Sequence, residues 1–325
     1  MDFVRLRAAL AALVAGCALF VATAAALAAP SSCEFTVASV PVTGGNVVYG
    51  RVGDGHPVVL LHGLFADKSQ WQGLACLLSA SGYSAIAPDL PGFGQSTGFP
   101  VAAYRIANQA TLIGEFADAL GLREFALAGN SMGGAIAALY ARGHPQRVRS
   151  LAFIGSTLGF TDWSEDVRNA IYSGTNPFIP LDGKELDLEL ALLFVKPPVL
   201  PDAIRDALVR EYNDRLRHYM AVWNIVSLDL NVLRDVRRFA VPTLAIWGTE
   251  DRVFSIGDAK PLRSRLPAHD FVALRGAGHL PQVEVPDRIA SIYLPFLSRP
   301  PRPHPLPALD APVERPPPRQ GTAGR

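Results

Sequence analysis

Short apolar runs alternate with amphipathic helical patterns along most of this 325-residue chain, and this alternation limits the fold more than any other feature. The runs have the length and residue types of β-strands and lie at 35–40, 46–50, 57–63, 83–89, 124–130, 148–155, 242–248 and 270–276. The helical patterns lie at 69–81, 104–121, 132–142, 256–265 and 284–297. Strands buried on both faces that alternate with helices predict an α/β fold, with a mostly parallel eight-stranded sheet and helices on both faces. The first two runs have no helix between them, so we expect them to pair as an antiparallel hairpin at one edge.

Residues 157–236 interrupt this alternation. The segment contains no good strand pattern, and its periodicity is helical, as in KELDLELALLFV and PDAIRDALVREYNDRLRHYMAVWNIV. We expect a helical cap inserted after the sixth strand, above the edge where the parallel strands end, because open α/β sheets bind their ligands there. Residues 35–156 and 237–298 then form the core of the fold.

The N-terminus has the pattern of an export signal. Two arginines precede an uncharged run of 22 residues, Ala8–Ala29, which contains the small-residue sequence ALA at 26–28. This is typical of a secretory signal peptide, here residues 1–28, and predicts a periplasmic or secreted protein. Two alternatives remain open. The run is long enough to span a bilayer uncleaved, and VAGC resembles a bacterial lipoprotein box that would acylate Cys17 and anchor the chain to a membrane.

Cleavage of that leader would leave two cysteines and a proline-rich C-terminus. Export would permit a disulfide between Cys33 and Cys76. The alternative is a free N-terminal thiol and a buried helical thiol. Residues 299–325 contain too many prolines for a helix or a central strand, which predicts an extended, solvated tail.

Composition and charge exclude several classes of function. Apolar residues make up 49% of the chain, which is sufficient for a large core, and the formal net charge is only +1. No basic stripe points to nucleic acid. No zinc or phosphate-loop spacing occurs, so we expect neither a metal nor another cofactor. The sequence indicates no protein partner.

The stretch LAGNSMGG places one serine, Ser131, between the fifth strand pattern and the following helix. Gly129 and Gly133 flank it at two residues on either side. This Gly-x-Ser-x-Gly pattern is typical of a tight strand-to-helix elbow that presents a nucleophile above the sheet. The backbone N–H of Met132, at the N-terminus of the helix, would then be free to donate to an oxyanion.

A serine nucleophile requires a base, and the base requires an acid to orient it. His279 is the candidate base, because RGAGHLPQ puts it in a glycine-flanked loop just after the last strand pattern. Asp251 is the candidate acid, since it follows the preceding strand pattern in WGTEDRV. Glu250 competes with it, and Asp251 alone is also typical of a helix N-cap or a turn. Five further histidines lie in turns, in the cap or in the tail: His56, His144, His218, His269 and His304.

The loop after the third strand pattern is the candidate for the second half of an oxyanion hole. It reads HGLFADKSQW, and we expect the backbone N–H of Leu64 to be the donor, with that of Phe65 as the alternative. His62 is adjacent, but its His-Gly context favours a role in shaping the loop.

Five stretches stand in an order that resembles the α/β-hydrolase fold superfamily across residues 45–298: HGLFADKSQW, APDLPGFGQS, LAGNSMGG, IWGTEDRV and GAGHLPQVE. Within it the chain is most similar to bacterial lipases and esterases of the monoacylglycerol-lipase kind. The resemblance implies a Ser131–His279–Asp251 triad and an oxyanion hole formed by Leu64 and Met132. One departure is Leu64–Phe65, where many relatives have Phe and then Gly. A bulkier loop there would narrow the acyl pocket.

The leading interpretation is an exported serine carboxylic-ester hydrolase that cleaves a lipophilic acyl ester through an acyl-enzyme intermediate. A C–C bond hydrolase or a cofactor-free haloperoxidase-like enzyme would use the same triad and remain alternatives. C–C hydrolases usually carry a Ser-Gly-Pro-Gly-type oxyanion loop, which is absent here. Haloalkane dehalogenases and epoxide hydrolases have Asp at the nucleophile position, so Ser131 disfavours them. A binding protein that has lost the chemistry is disfavoured by the presence of all three triad residues.

The expected partner is a small-molecule or lipid ester, because the cap is rich in large apolar side chains. These are Trp163, Phe178, Leu190, Leu193, Phe194, Val195 and Trp223. We expect Phe65, Phe194 and Trp223 to contact the substrate. The alternative for any one of the cap residues is that it packs the cap onto the sheet.

Overall fold

The computed structural model describes residues 33–299, and eight strands form one sheet within that range. They are β1 (Thr36–Val42), β2 (Gly45–Val52), β3 (His56–Leu61), β4 (Tyr83–Pro88), β5 (Phe125–Ser131), β6 (Val148–Thr157), β7 (Thr243–Gly248) and β8 (Phe271–Leu274). Their order in the sheet is β1-β2-β4-β3-β5-β6-β7-β8. β2 pairs antiparallel with both β1 and β4, and the other neighbours are parallel. The predicted sheet, with its antiparallel hairpin at one edge, is confirmed.

Helices cover both faces of this sheet. In chain order, residues 33–299 form α1 (Gln72–Ala80), α2 (Ile106–Ala119), α3 (Met132–Gly143), α4 (Glu165–Tyr172), α5 (Gly183–Leu193), α6 (Asp202–Asp214), α7 (Leu216–Ser227), α8 (Lys260–Arg263), α9 (Pro281–Glu284) and α10 (Pro286–Leu297). α2 and α3 pack on one face, and α1 and α10 on the other.

Strand β3 shows why both faces need a helix layer. Val59 and Leu61 pack in the core on the α2–α3 side, whereas Val58 and Leu60 pack in the core on the α1–α10 side. Successive side chains of a strand point to opposite faces, so an unbroken apolar run fills two cores. The central strands are therefore shielded from water on both faces, and their C-terminal ends form the edge that is left for a site.

The helical pattern over 256–265 is not one helix. The chain forms a short 3₁₀ turn, Ile256–Asp258, and then the single turn α8. Gly257 weakens the helix at this point, and Pro261 lacks the N–H that a continuous helix would need.

Four helices, α4 to α7, occupy the segment between β6 and β7 for which the sequence predicts a cap. We use the word cap as a label for these residues, 157–236. The longest helical pattern is divided into α6 and α7 at Arg215, whose φ of −106° and ψ of 13° depart from helical values. The cap has a small apolar core of its own, formed by Leu186, Leu190, Leu200 and Leu208.

An ion pair connects the end of the cap to the core. Arg105 Nη2 lies 2.6 Å from Asp229 Oδ1, and Asp229 Oδ2 accepts the Ile106 N–H at 2.9 Å. Ile106 opens α2, and the first N–H groups of a helix have no acceptor within the helix. The carboxylate of the cap therefore supplies the N-terminal contact that α2 lacks in its own sequence.

A disulfide joins Cys33 to Cys76, across a sequence separation of 43 residues. It attaches the segment before β1 to α1, so the two cysteines are not free thiols in the structure. The predictions for the leader (residues 1–28), for Cys17 and for the tail beyond Arg299 lie outside the described residues. Among the helices within 33–299, none has both the length and the hydropathy needed to cross a bilayer.

Candidate active site

Ser131 and His279 open onto one cavity of about 610 Å³ at the C-terminal edge of the parallel strands. Leu64 and Phe65 line the same cavity. The structure thus brings together residues from the loops after β3, β5 and β8, which are far apart in sequence. This is the edge at which the sequence predicts a site.

Ser131 occupies a strained backbone conformation. Its φ is +52° and its ψ −118°, and among the described residues only Ser131 and Phe65 combine a side chain with positive φ. Strain of this kind persists only where surrounding contacts impose it. Ser131 is the last residue of β5, and Met132 is the first of α3, so the Met132 N–H is one of the helix donors without an intrahelical acceptor.

The flanking glycines are explained by close backbone approach. A Cβ on Gly129 would lie 2.3 Å from the backbone of Gly133, and one on Gly133 would lie 2.2 Å from the carbonyl oxygen of Leu61. Both distances are shorter than any real contact. The elbow (residues 129–133) therefore folds only if these positions lack side chains, which accounts for the Gly-x-Ser-x-Gly spacing.

His279 and Asp251 form a buried pair. Nδ1 of His279 lies 3.1 Å from Oδ2 of Asp251. The other carboxylate oxygen of Asp251 accepts the N–H groups of Val253 at 2.9 Å and Phe254 at 3.0 Å. These bonds hold the carboxylate towards the imidazole. A proton on Nδ1 that is directed at Asp251 leaves Nε2 as the nitrogen that can accept a proton.

Glu250, the competing acid, has different partners. Its Oε2 accepts the N–H of Gly276 at 2.8 Å and of Ala277 at 3.1 Å. Both donors belong to residues 275–284, which carry His279 and which we call the base loop. Glu250 therefore braces the loop, and it is Asp251 that lies against the imidazole.

Ser156 is a neighbour of the imidazole that sequence reasoning missed. Its hydroxyl oxygen lies 2.9 Å from Nδ1 of His279, and its side chain is fully buried near the end of β6. Nδ1 thus has two oxygen neighbours, Ser156 and Asp251. The sequence did carry a signal for Ser156, which is a polar residue near the end of a buried parallel strand. Strands β5, β6 and β7 end at the same edge of the sheet, so polar side chains at their ends are candidates for one site.

The loop after β3, residues 62–71, carries the candidate oxyanion donor Leu64, and we call it the oxyanion loop. Buried His62 shapes it: Nδ1 donates to the Gly63 carbonyl at 2.7 Å, and Nε2 accepts the Leu90 N–H at 2.9 Å. Burial lowers the pKa of His62, which favours the neutral ring that this pattern requires. His62 is thus a structural residue here, in line with its His-Gly context.

A buried ion pair anchors the same loop. Lys68 Nζ lies 2.8 Å from Asp89 Oδ2, and the Lys68 N–H donates to Asp89 Oδ1 at 2.8 Å. Asp89 directly follows β4 and is fully buried. Neither residue was among those predicted for the site, although a carboxylate directly after a buried strand was a usable signal.

Asn130 connects the elbow to both loops. Its Nδ2 donates to the carbonyl oxygens of Ile154 at 2.9 Å and His279 at 3.0 Å. Its Oδ1 accepts from Gln70 Nε2 at 3.3 Å, and Gln70 Oε1 accepts the Gly63 N–H at 3.4 Å. The residue before Ser131 therefore connects the base loop to the oxyanion loop.

The cap supplies about half of the apolar side chains that line the cavity. Those on that side include Trp163, Phe178, Leu186, Leu190, Leu193, Phe194 and Leu208. Of the three side chains expected to contact substrate, Phe65 and Phe194 line the cavity. Trp223 is not among the lining residues: its ring lies 5.8 Å from those of Trp163 and Phe178 and packs behind them.

Comparison with known proteins supports the fold described above. Residues 56–173 match the family model described as the alpha/beta hydrolase fold. Lipase 1 of Psychrobacter immobilis is 30% identical over 265 residues, which cover 79% of this chain and 82% of that lipase. The chain belongs to the α/β-hydrolase family.

Two further relatives place it within the family. A monoacylglycerol lipase of Xenopus laevis is 27% identical over 77% of both chains. The crystal structure of a bacterial membrane phospholipase A superposes with a TM-score of 0.74 at 32% identity, over 81% of this chain and 86% of that one. The predicted resemblance to bacterial and monoacylglycerol lipases is confirmed, as is the prediction of an enzyme of the carboxylic-ester hydrolase class.

Proposed function

We propose that this α/β hydrolase is a serine enzyme that cleaves esters of lipophilic acyl groups through an acyl-enzyme intermediate. One observation carries the proposal: the strained Ser131 and the Asp251-bonded His279 open onto the same apolar-walled cavity. The names of the relatives, which are lipases, support the same substrate class.

In the proposed mechanism, the Ser131 hydroxyl oxygen attacks the ester carbonyl carbon while Nε2 of His279 takes its proton. Asp251 holds the Nδ1–H and stabilises the imidazolium that forms. The backbone N–H groups of Leu64 and Met132 donate to the oxyanion. When the tetrahedral intermediate collapses, the carbon–oxygen bond to the alcohol breaks, and His279 returns the proton to the leaving oxygen. Water then attacks the acyl-enzyme by the same route, which releases the acid and restores Ser131.

We further propose that residues 157–236 act as a cap that binds the acyl chain, while 35–156 and 237–298 form the catalytic core. The cavity wall supports this division, because Leu190 and Phe194 come from the cap, and Ser131 and His279 from the core. Each buried methylene of an acyl chain stabilises a complex by about 0.8 kcal/mol. A hexanoyl ester should therefore exceed an acetyl ester by well over tenfold in kcat/KM.

Export remains our proposal for the location of the protein. The Cys33–Cys76 disulfide supports it, since disulfides persist in oxidising compartments. Expressed with its leader in a Gram-negative host, the chain should be recovered from the periplasm, cleaved near Ala28. An intact N-terminus in the membrane fraction would instead support the uncleaved anchor, and a lipid on Cys17 the lipoprotein.

The nucleophile is tested with Ser131→Ala and a serine-directed phosphonate. The variant should lose covalent labelling, and its ester turnover should fall about 10⁴-fold or more, with the fold intact. Labelling that survives in Ser131→Ala would assign the chemistry to another serine.

The substrate class is tested with p-nitrophenyl esters of graded chain length. Phe194→Ala should flatten the chain-length dependence and leave acetyl ester turnover largely unchanged. Val199→Ala is the control, because Val199 lies in the same loop and is 92% exposed. A flat or falling profile in the wild type would contradict the lipophilic-ester proposal.

A further inference from the structure

The cap is hydrogen-bonded directly to the backbone of the candidate base. The His279 N–H donates to the carbonyl oxygen of Leu193, the last residue of α5, at 3.0 Å. The His279 carbonyl oxygen accepts from Asn130 at 3.0 Å. The N–H of His279 is therefore bonded to the end of a cap helix, and its carbonyl oxygen is bonded to the elbow of the core.

Glu284 reinforces the cap side of this arrangement. Its Oε1 accepts the N–H of Val195, in the cap, at 2.7 Å, and its Oε2 accepts the N–H of Gly278, beside His279, at 2.6 Å. Val195 and Glu284 are 89 residues apart in sequence, so only the tertiary fold brings them together. One carboxylate thus joins the cap segment 193–195 to the base loop.

The packing at this contact is tight. A Cβ on Gly278 would lie 2.9 Å from the Leu193 carbonyl oxygen and 3.3 Å from the Val195 nitrogen. Burial raises the pKa of the Glu284 carboxyl, with added repulsion from Asp251 and Glu250, and the two N–H donors act in the opposite direction. Each oxygen of the carboxyl accepts one backbone N–H, and this paired arrangement is suited to fixing a geometry.

The cap segment also belongs to the substrate cavity. Leu193 and Phe194 line its apolar wall next to the contact with His279. An acyl chain that packs on these side chains would order the same few residues whose backbone holds the base.

We propose that Glu284 is a positioning residue. Through its paired bonds to Val195 and Gly278, it makes the position of His279 depend on whether cap segment 193–195 is ordered. The proposal rests on the function proposed above. Its consequence is that a long acyl chain raises the acylation rate constant as well as the affinity, because filling the cap side of the cavity helps to place the base.

The test compares Glu284→Gln with Glu250→Gln, by burst kinetics on p-nitrophenyl acetate and hexanoate. Glutamine keeps one acceptor oxygen and turns an NH₂ group towards the other donor, so Glu284→Gln loses one of the two bonds at the same size. Glu250 is the matched control, because it also accepts N–H groups of the base loop but takes them from Gly276 and Ala277. Reaction with a small serine-directed phosphonate counts competent sites in each variant.

We expect Glu284→Gln to lower the acylation rate constant for hexanoate about tenfold or more, and that for acetate less than about threefold, with substrate dissociation constants nearly unchanged. Glu250→Gln should lower both rate constants by the same factor. An equal loss for both esters in Glu284→Gln, or a change confined to the dissociation constants, would overturn the proposal.

Val195→Pro tests the same bond from the cap side and does not alter the base loop. It removes the donated N–H, and Phe194, with ψ of 144°, has the extended backbone that a following proline favours. Val199→Pro, in the same exposed loop, is the control. Val195→Pro should reproduce the hexanoate-selective loss, and combined with Glu284→Gln it should add little. Additive losses would contradict the coupling. A wild type with neither a burst nor phosphonate labelling would refute the proposed function itself.

Discussion

The oxyanion loop and the base loop both line the cavity onto which Ser131 opens, but their backbones are held differently. The oxyanion loop is bonded to the core through the Lys68–Asp89 ion pair and through His62, which accepts the Leu90 N–H. The base loop is bonded to the core through Glu250 and Asn130, and in addition to the cap through the His279 N–H and through Glu284. Phe65 touches Tyr219 of the cap, with ring centroids 5.1 Å apart, but the backbone around it is fixed by the core.

The difference matters because the two loops have different tasks in the proposed mechanism. Oxyanion donors are effective when they are already in place as charge develops, so attachment to the rigid sheet suits them. The base must be placed relative to a bound substrate, and attachment to the cap lets substrate binding influence that placement. Four substitutions test this division.

The largest effect on kcat is expected for Asp251, the acid that lies against His279 of the base loop. Asp251→Asn should lower kcat by about 10³- to 10⁴-fold, because an amide does not enforce the Nδ1–H tautomer. Glu250→Gln should cost far less, since Glu250 braces the loop and does not contact the imidazole. Steady-state kinetics of both variants on one ester compare the two losses of kcat. A larger loss in Glu250→Gln would assign the acid to Glu250.

Loss of the Lys68–Asp89 ion pair, which anchors the oxyanion loop, should have a large effect on the free energy of unfolding. Lys68→Met leaves the Asp89 carboxylate buried without its ion-pair partner, which should cost about 3–5 kcal/mol of unfolding free energy. Asp166→Asn is the control: it breaks the Arg252–Asp166 pair, whose side chains are 50% and 46% exposed, and should cost under about 1 kcal/mol. Equilibrium denaturation compares the two, and similar losses would mean that the buried pair does not anchor the loop.

Asn130 is hydrogen-bonded to His279 of the base loop and to Gln70 of the oxyanion loop, so its substitution should affect both loops. Asn130→Asp replaces the NH₂ group that donates to Ile154 and His279 by an oxygen that faces two carbonyl oxygens. We expect kcat to fall about 100-fold, in keeping with two lost bonds to buried acceptors. Phosphonate labelling should slow in parallel. Gln70→Ala, which leaves the contact to His279 in place, should cost less. Equal losses would indicate that Asn130 acts mainly on the oxyanion loop.

The smallest effect is the pH dependence that His62 contributes. Burial lowers its pKa below the ordinary value of 6.5, so below pH 6.5 the unfolded chain binds a proton that the folded chain does not. Stability is therefore lost as the pH falls, with a slope of up to about 1.4 kcal/mol per pH unit for one proton. His62→Gln should reduce this slope between pH 6.5 and 5, whatever its effect at neutral pH. Part of the slope should remain, because burial also lowers the pKa of His218. An unchanged slope in His62→Gln would show that His62 titrates normally.

Much of the fold followed from local pattern. The alternation of apolar runs predicted all eight described strands. For the central strands β3 to β7 the reason is that a strand buried on both faces has to be apolar almost throughout. The elbow was predictable because Gly129 and Gly133 lie where the backbone approaches too closely for a side chain. The long pattern over 201–226 was predicted as helical without the break at Arg215, since periodicity does not report a change in direction.

Local sequence patterns were enough to predict the sheet, the elbow and the loops that carry Ser131, Asp251 and His279, because these follow from periodicities and glycine spacings over a few residues. The tertiary structure was needed to show which of two adjacent carboxylates lies against the imidazole, and that Cys33 pairs with Cys76. It also placed Trp223 behind the cavity wall, and joined Glu284 to Val195 across 89 residues. The physical reason is that hydrogen bonds and side-chain packing depend on positions within about an ångström, and for residues far apart in sequence only the packing of whole helices and strands sets such positions.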